Sequence, residues 1–325
     1  MSKNTVSHNS LEPLKNGKYD IGQCKSVKIK CVSEIGWFDD EKLMNQVLEA
    51  GGLEISQWTV PWDKDNAAGS CSLVEMESTD GTHHKFLLDT GWNPQYMDEC
   101  FKREGIDKML ENGEIEFVFI SHEHMDHLWG LEAVLKYNPG IKIFIPGAFY
   151  PEGIDFIRKL CNYESAEELM QSGQVVQSGK DEVFKLYDGC AAVFFDLPVI
   201  LRIQGEQSLY FNIKDKGIVC VTGCCHQSIL NFADFAQEKI EQGENMYGAY
   251  GGFHIAPFGP MDADRENVVK SIAKYNFKKI ACNHCTGLPA VEKMIEMGYP
   301  IVSGTGRLGS KTDLHIGNGD EVVFD

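Results

Sequence analysis

The segment SHEHMDH at residues 121–127 constrains this chain more than any other feature. It places three histidines and one aspartate within six positions, directly after the apolar run FVFI at residues 117–120. Neutral imidazoles and carboxylates are ligands of first-row metal ions, and few other roles favour crowding them together. The segment therefore predicts a metal site at the end of a buried strand. A histidine-rich surface loop is the alternative, and it is disfavoured because H-x-H-x-D-H is rare by chance.

The spacing within the segment indicates room for two ions. Alternate residues of an extended segment point the same way, so His122 and His124 can converge on one ion. The apolar spacing that begins at Leu128 predicts a helix there, which projects Asp126 and His127 beside the first pair. One short loop can therefore seat two metal ions.

Composition narrows the class of protein. With 43% hydrophobic and 24% charged residues the chain is typical of a globular protein, and its length suits one large domain or two ordinary ones. No stretch approaches the roughly 20 apolar residues that span a bilayer, and the first residues lack the apolar region of a signal peptide. Eleven cysteines, an odd number over a long chain, fit reduced thiols. We expect a cytoplasmic protein with a polar, poorly ordered leader at residues 1–24.

The net charge narrows the partners. A formal charge of −18 argues against nucleic acid and anionic membranes, because phosphate contacts need clustered lysines and arginines. A bound pair of divalent ions would still attract anions into a pocket. The expected partner is therefore a small anionic substrate. The oligomeric state, including a homo-oligomer, stays open at this level.

Hydrophobic patterning predicts alternating strands and helices from residue 25 onward. The predicted strands lie at residues 27–32, 71–76, 85–88, 117–120, 141–145, 193–195, 208–213, 217–221, 279–282 and 300–303. The predicted helices lie at residues 41–50, 93–103, 228–242 and 264–275. No linker divides residues 25–325, so we expect a single domain with a variable helical excursion near residues 150–185. Two successive groups of mixed elements favour a layered α/β sandwich.

Two metal ions need about six protein ligands, so the motif must be completed from elsewhere. His226 follows the apolar run IVCVTGCC, and His284 follows IACN, so both lie at predicted strand ends, where ligands are commonly placed. We expect both histidines to bind metal. His254 follows the glycine-rich run YGGF, which lets the backbone approach a ligand closely. For His254, a role in the site and a role as a core histidine are equal alternatives.

The other histidines and the cysteines carry weaker signals. His8, His83 and His84 lie in the polar leader or beside a predicted turn, so we expect them to be solvated. Cys224 lies where a thiolate could reach the metals, although a core position is favoured. The C-x-x-C spacing at residues 282–285 is a weak indication of a zinc knuckle or redox pair. We therefore favour small core positions for all cysteines other than Cys224, including Cys282 and Cys285.

Together these motifs resemble the metallo-β-lactamase-fold metallohydrolase superfamily. Its H-x-H-x-D-H motif follows a strand and is preceded by a strand ending in L-x-D-T-G, present here as LLDTG at residues 87–91. The resemblance implies an αββα four-layer sandwich and makes Asp89 a buried support of the ligands. The blocks VTGCCH, GGFH and HCTG, at residues 221–226, 251–254 and 284–287, and the acidic block GEQSL at 205–209, are similar to the branch of archaeal methanopterin dihydropteroate synthase.

Two departures from the superfamily pattern change the expected ligands. No histidine occurs between His127 and His226, where a third motif normally supplies one, and Cys224 replaces the bridging aspartate of a T-G-D block. Without that carboxylate the second ion is expected to bind more weakly, and Cys224 is a candidate ligand or rim residue. The resemblance then implies two ligand sets: His122, His124 and His226 at the first ion, and Asp126, His127 and His284 at the second.

The implied chemistry is hydrolysis by metal-activated water, on a phosphate ester or diphosphate of a small anionic metabolite. The expected cofactor is one or two Zn²⁺ ions, with iron or manganese as alternatives. Asp126 is expected to orient the water as well as to bind metal, and His254 to hydrogen-bond substrate or leaving group. The branch also implies a transferase activity like that of the synthase, although no pterin-specific motif is present.

Three other functions are compatible with the same residues. Relatives of this fold bind iron and handle oxygen or sulfur species, which the cysteines near the motif would suit. A metal-binding sensor without catalysis is a second alternative, favoured by the missing bridging acid. Acyl transfer, as in thioesterases or β-lactamases, is a third. A nuclease is disfavoured by the charge.

Overall fold

The computed structural model describes residues 9–179 and 183–325. The strands are β1 Asn9–Ser10, β2 Cys24–Ser33, β3 Cys71–Ser78, β4 His83–Leu88, β5 Phe117–Phe119, β6 Lys142–Ile145, β7 Val175–Gln177, β8 Val183–Tyr187, β9 Cys190–Val199, β10 Ile203–Ile213, β11 Gly217–Val221, β12 Met246–Gly252, β13 Lys279–Asn283 and β14 Glu321–Phe324. The α-helices are α1 Asp40–Ala50, α2 Pro94–Glu104, α3 Ile106–Glu111, α4 Met125–Leu128, α5 Leu131–Leu135, α6 Pro151–Leu160, α7 Ala166–Ser172, α8 Ile229–Lys239, α9 Ala263–Ile272 and α10 Leu288–Glu296.

The strands form two half-sheets. The first has the order β14-β2-β3-β4-β5-β6-β7, and the second has the order β1-β8-β9-β10-β11-β12-β13. The halves join where β2 and β10 pair in parallel, at Cys24 and Ile213. In the first half-sheet, the pairs from β14 to β4 are all antiparallel, whereas β4, β5, β6 and β7 run parallel to one another. In the second half-sheet, β11, β12 and β13 are also parallel.

Side-chain alternation along the strands produces three apolar layers. In β5, Phe117 and Phe119 face the second half-sheet, whereas Val118 faces the helices α2, α3 and α5. In β11, Val219 faces the first half-sheet, and Cys220 faces the helices α8, α9 and α10. This period of two is what a strand buried on both faces requires. The layers therefore run helix, sheet, sheet, helix, which confirms the predicted α/β sandwich.

The sandwich brings the predicted site residues to one edge. Asp89 follows β4 and His122 follows β5, and these two strands are parallel. His226 follows β11, His254 follows β12 and His284 follows β13, which are also parallel neighbours. The carboxyl ends of parallel strands lie on the same side of a sheet. The topology therefore assembles residues up to 195 positions apart.

Most predicted elements are present, and the differences are as follows. Residues 300–303 form only an isolated bridge, from Ile301 to Ile280. The glycine-rich run before His254 is the interior strand β12, and α10 was not predicted. The region near 150–185 holds two helices, α6 and α7, but also β7 and the start of β8, and residues 180–182 lie outside the described ranges.

The expected disorder of the leader is wrong for residues 9–24. Asn9 and Ser10 pair with β8, Tyr19 bridges to Ile240, and Ile21 is completely buried. Burial of one such aliphatic side chain contributes about 1.5–3 kcal/mol, which helps to hold an otherwise polar segment. No helix within residues 9–179 and 183–325 is long and apolar enough to cross a membrane.

Candidate metal centre

The motif segment is an extended loop that turns into a short helix. Ser121 to His124 continue from β5, and α4 starts at Met125, as the spacing predicted. The predicted longer helix is divided into α4 and α5, which restarts at Leu131. All three motif histidines are buried, and His122 and His127 are fully so. Each nitrogen of a buried imidazole ring needs a hydrogen-bond partner or a metal ion, because an unpaired buried polar group costs free energy.

The first group of ligand atoms comes from His122, His124 and His226. One ring nitrogen of each lies within 4.8 Å of the others. His122 Nε2 is 2.9 Å from His124 Nδ1, and the rings of His122 and His226 have centroids 4.8 Å apart. His226 Nε2 is buried and has no hydrogen-bond partner among the described residues. A buried nitrogen lone pair among two other imidazoles suits a metal ion, because it would otherwise cost free energy.

The protonation states of this group favour metal binding. Burial and the neighbouring His127 and His124 rings hold the pKa of His122 well below its usual range. Burial and the His226 ring lower the pKa of His124 to about 3. Burial and the His127 ring lower the pKa of His226 to about 3. The three rings are therefore neutral at pH 7, and neutral imidazole is the form that binds metal.

Glu206 on β10 fixes the orientation of His226. Its Oε2 atom accepts from the backbone N–H of His226 at 2.8 Å and from ring Nδ1 at 2.9 Å. A proton on Nδ1 leaves Nε2 as an acceptor for metal. Burial raises the pKa of Glu206 well above its usual range. The sequence does not predict this role of Glu206, although Glu206 lies in the acidic block at residues 205–209.

The second group comes from Asp126, His127 and His284, whose ligand atoms also lie within 4.8 Å of one another. Asp126 Oδ2 is 3.3 Å from His284 Nε2 and 3.6 Å from His127 Nε2. The two ring nitrogens are 3.2 Å apart. His284 Nδ1 donates to the Glu34 carbonyl at 2.9 Å, which turns Nε2 towards the group.

The second group is more polar than the first. Burial lowers the pKa of His284, but Cys285 and Asp126 outweigh burial and raise it to about 9. Burial likewise opposes the charge of His127, and Asp126 and Asp89 raise its pKa. Burial raises and the two histidines lower the pKa of Asp126, with a net shift below its usual range. Ionic pairs therefore hold this group together when protons occupy the rings.

Asp89 supports both the loop and His127. Its Oδ1 accepts from the Ser121 backbone N–H at 2.6 Å, and its Oδ2 lies 2.8 Å from Ser121 Oγ and 2.7 Å from His127 Nδ1. Asp89 has φ +63°, and His254 and His284 each have φ +47°. Such left-handed conformations in non-glycine residues cost free energy and cluster at functional sites.

Gln57, from a short turn between α1 and β3, hydrogen-bonds to the backbone on both sides of His124. Its Nε2 donates to the Glu123 carbonyl at 2.7 Å, and its Oε1 accepts from the Met125 backbone N–H at 2.8 Å. The Glu123 side chain points away and accepts from Trp58 Nε1 at 3.1 Å and from the Tyr150 backbone N–H at 2.9 Å. The loop is therefore held from outside by side chains that no local pattern indicates.

Two thiols complete the centre. Cys224 Sγ is 3.3 Å from His127 Nε2 and 3.1 Å from Cys285 Sγ. Both cysteines are buried. Cys224 is therefore placed within reach of the second group, and the expectation that Cys285 is a core residue is wrong, because the turn after β13 carries it into the site.

His254 lies at the margin of the centre. Its ring is half-buried and packs 4.4 Å from the ring of His226, centroid to centroid. Burial and the His226 ring lower its pKa to about 4, so it is neutral at pH 7. It lines a small cavity of about 40 Å³ over the two groups, with Trp37, Ile200 and Phe258 among its apolar walls. His254 can therefore face a bound molecule as a neutral donor or acceptor.

His83 and His84 lie away from this centre. His83 is exposed at the start of β4, as expected. The expectation that His84 is solvated is wrong, because it is buried, stacks on Tyr187 and contacts Glu116 Oε1 at 3.0 Å. Alternation along β4 turns neighbouring side chains to opposite faces, so only one of the two reaches solvent. His8 lies outside the described residues.

The donor set fits metal ions. Five imidazoles, one carboxylate and two thiols converge in four overlapping groups of three ligand atoms, and the first group described above contains an unpartnered ring nitrogen. Nitrogen and sulfur donors with one carboxylate match the preferences of Zn²⁺ and of other late first-row ions. Each outer ring nitrogen of His226, His284 and His127 contacts a carboxylate or carbonyl oxygen, as in metal sites generally.

Sequence comparison finds a match to one known family. Residues 65–160 match the sequence model of the Metallo-beta-lactamase superfamily, a range that contains Asp89 and the whole motif segment. Over this range the chain is similar to the metallo-β-lactamase superfamily, and its helix, sheet, sheet and helix layers match the metallo-β-lactamase-like sandwich that the resemblance implies.

A curated relative narrows the comparison further. The 7,8-dihydropterin-6-methyl-4-(beta-D-ribofuranosyl)-aminobenzene-5'-phosphate synthase of Methanocaldococcus jannaschii is 25% identical over 303 residues, 81% of this chain and 93% of that protein. An uncharacterised protein of the same organism is 25% identical over 255 residues, 74% of this chain and 92% of that protein. Zn²⁺-bound PqqB from Methylobacterium extorquens aligns with 92% of this chain and 99% of its own, at 11% identity and TM-score 0.49. The family match and the synthase confirm the resemblance seen in the sequence.

Proposed function

We propose that this protein is a metal-dependent hydrolase with two adjacent metal positions. The observation that carries the proposal is the unpartnered, buried Nε2 of His226 beside His122 and His124, with a second three-ligand group next to it. Zn²⁺ is the favoured ion, because nitrogen and sulfur donors dominate, and iron and manganese are alternatives.

The side chains around the two positions have separable tasks. When bound, a pair of divalent ions makes hydroxide available from water at neutral pH and polarises the bond under attack. Asp126 contacts His127 and His284 in the second group and can orient the attacking water through its carboxylate. Neutral His254 can hydrogen-bond the substrate or the leaving group. Asp89 and Glu206 hold ligand rings and act only through them.

A phosphate ester or diphosphate of a small anionic metabolite is the proposed substrate. A cleft of about 250 Å³ adjoins His284 and is also lined by Trp37, Lys311 and Thr312, which offer aromatic, cationic and hydroxyl contacts. Glu34 and Asp40 line the same cleft, and Lys311 Nζ pairs with Asp40 Oδ1 at 3.2 Å, so an anionic substrate would have to compete with Asp40 for this lysine. Trp37 stacks on Phe258 at 5.5 Å and forms a flat apolar wall. The name of the archaeal relative describes the synthesis of a phosphate-bearing aromatic compound. Transfer to an acceptor other than water, as a synthase requires, is a variant of the same proposal.

A screen of the metal-loaded protein tests this function. The substrates are phosphomonoesters, phosphodiesters, cyclic phosphates, diphosphates and thioesters, run beside His122→Ala and the exposed His83→Ala. We expect turnover of a phosphorus compound, a loss of at least ~100-fold in His122→Ala and no change in His83→Ala. Turnover of thioesters alone, or full activity in His122→Ala, would refute the proposal.

An iron-dependent redox function is the second candidate, and the two thiols beside the second group favour it. Metal analysis of protein purified without added zinc separates the two candidates. Dominant iron, with activity controlled by reduction, would support the redox function. Metal binding without turnover of any substrate would support a sensor.

A further inference from the structure

A third ligand group lies beside the two already described. Cys224, His284 and Cys285 each offer one atom, and these atoms lie within 4.8 Å of one another. His284 is shared with the second group, and Cys224 Sγ also lies in a group with His122 and His127. The two thiols therefore border the second position rather than forming a separate cluster.

Two glycines make room for this thiol pair. A Cβ atom at Gly223, directly before Cys224, would collide with the Asp89 carboxylate. A Cβ atom at Gly252, at the end of β12, would lie 2.5 Å from Cys285 Sγ. A side chain at Gly223 would displace Asp89, and a side chain at Gly252 would displace the Cys285 thiol. The backbone is therefore shaped to let both sulfur atoms approach the histidines.

Neighbouring cysteines provide an internal contrast. Cys225 and Cys282 point into the apolar cluster between the second half-sheet and helices α8, α9 and α10. Cys224 and Cys285 instead line the cavity over the ligand groups, with His226 and His254. Of these four cysteines, two therefore face the ligand groups and two face the apolar core.

The positive charge of two buried divalent ions favours additional anionic ligands at the second position. The five ligand imidazoles are neutral when they bind metal, so Asp126 alone would face two divalent ions in a buried centre. Unbalanced buried charge is expensive. Two thiolates and Asp126 together supply three negative charges, which leaves room for one hydroxide.

We propose that Cys224 and Cys285 are thiolate ligands of the second metal ion, and that this position is selective for thiophilic ions. The inference rests on the proposed two-metal function. On binding, each thiol releases its proton to water as a metal–sulfur bond forms, with no change of oxidation state. Sulfur donors favour Zn²⁺, Co²⁺ or Cd²⁺ over Mg²⁺ or Mn²⁺.

Cobalt titration of the full chain tests the ligand assignment. Metal-free protein, kept reduced and free of oxygen, receives Co²⁺ while the near-ultraviolet sulfur-to-cobalt charge-transfer band is recorded. The band should appear with the second ion, fall to roughly half in Cys224→Ser and in Cys285→Ser, and vanish in the double variant, because each thiolate contributes its own transition. Cys161→Ser, a half-buried thiol at the end of α6, is the matched control and should leave the band unchanged.

The outcomes separate this inference from the proposed function. Two bound ions without a sulfur band, or a full band in Cys285→Ser, would overturn the thiolate pair and leave the two-metal site intact. Failure to bind any ion would overturn both. Cadmium NMR of the unsubstituted chain gives the same answer without variants: a strongly deshielded, sulfur-ligated resonance supports the pair, and only nitrogen- and oxygen-ligated resonances contradict it.

Discussion

His226 and Glu206 are joined by two hydrogen bonds that meet at one carboxylate oxygen, from the backbone N–H at 2.8 Å and from ring Nδ1 at 2.9 Å. The opposite ring nitrogen is left buried and unpartnered beside His122. A metal ligand needs both features, a fixed ring and a free lone pair. The pair therefore links β10, which has no ligand of its own, to the first metal position.

Glu206→Ala should weaken the first metal site without removing a ligand. Loss of the carboxylate frees the His226 ring, and such outer contacts are typically worth about 10–100-fold in metal affinity. Competition with a chromophoric chelator measures the affinity. Glu206→Gln keeps an oxygen acceptor and should recover part of the loss. Equal affinity in the alanine variant and the parent would show that Glu206 does not position His226.

Gln57→Ala should destabilise the loop that carries His124. The substitution leaves the Glu123 carbonyl and the Met125 N–H without partners, at a cost of about 1–3 kcal/mol for each buried group. Urea unfolding of the metal-free protein measures the loss. The matched control is Gln171→Ala on α7, where the exposed side chain donates to Glu167, and its effect should stay within about 0.5 kcal/mol. Equal urea unfolding midpoints for the two variants would contradict a role of Gln57 in holding the loop around His124.

Asp89→Ala should also lower the free energy of unfolding of the metal-free protein. Asp89 accepts from Ser121 and contacts His127 while adopting φ +63°, so its removal leaves several buried polar groups unmatched. A loss of about 3–5 kcal/mol is expected for breaking such a buried charged network. Asp89→Asn keeps the size and tolerates the left-handed backbone, so it should lose less. Thermal unfolding of metal-free protein compares the two, and an alanine variant as stable as the parent would disprove the network.

Acid should reveal a stabilising contribution of Asp98 on α2. Burial raises the pKa of this carboxyl, but hydrogen bonds from Lys102, Tyr137 and Lys136 outweigh burial and hold it well below its usual range. Because the pKa of Asp98 is lower in the folded protein than in the unfolded chain, its ionised carboxylate stabilises the fold at pH values above the unfolded-state pKa of about 3.9. This stabilisation is lost as the pH falls through the pKa of the folded state. The free energy of unfolding of the parent should therefore fall more steeply below about pH 4 than that of Asp98→Asn.

Urea titrations of metal-free protein at several pH values provide the measurement. At pH 7 the parent should be more stable than Asp98→Asn by about 1 kcal/mol, the scale of partly exposed ion pairs. The difference should shrink in acid. A constant difference at all pH values would assign the effect of the substitution to packing instead.

Local sequence patterns were sufficient for the parts of the site that depend on neighbouring residues. The motif segment, the helix that follows it and the strand ends before His226 and His284 all carry signals within a few positions. Gln57 and Glu206 carry none, because their partners lie 66–68 and 20 positions away and are fixed only by packing. Cys285 was misplaced for the same reason, since a single turn decides whether its thiol faces the core or the cavity.

Strand β12 shows a different limit of sequence patterns. Its run MYGAYGG lacks the β-branched residues that mark strands, yet it lies between β11 and β13 in the interior. Side chains at its glycines would collide with neighbours, such as Phe324 at Gly248. Close packing of sheet and site therefore selects residues that intrinsic strand preference disfavours.

The central claim is that two metal positions are built from two three-ligand groups. A crystal of the metal-loaded protein, measured on both sides of the zinc absorption edge, tests it most directly. The account predicts two anomalous peaks, one among His122, His124 and His226 and one among Asp126, His127 and His284. A fully loaded crystal with no peak beside the His226 ring would contradict the account.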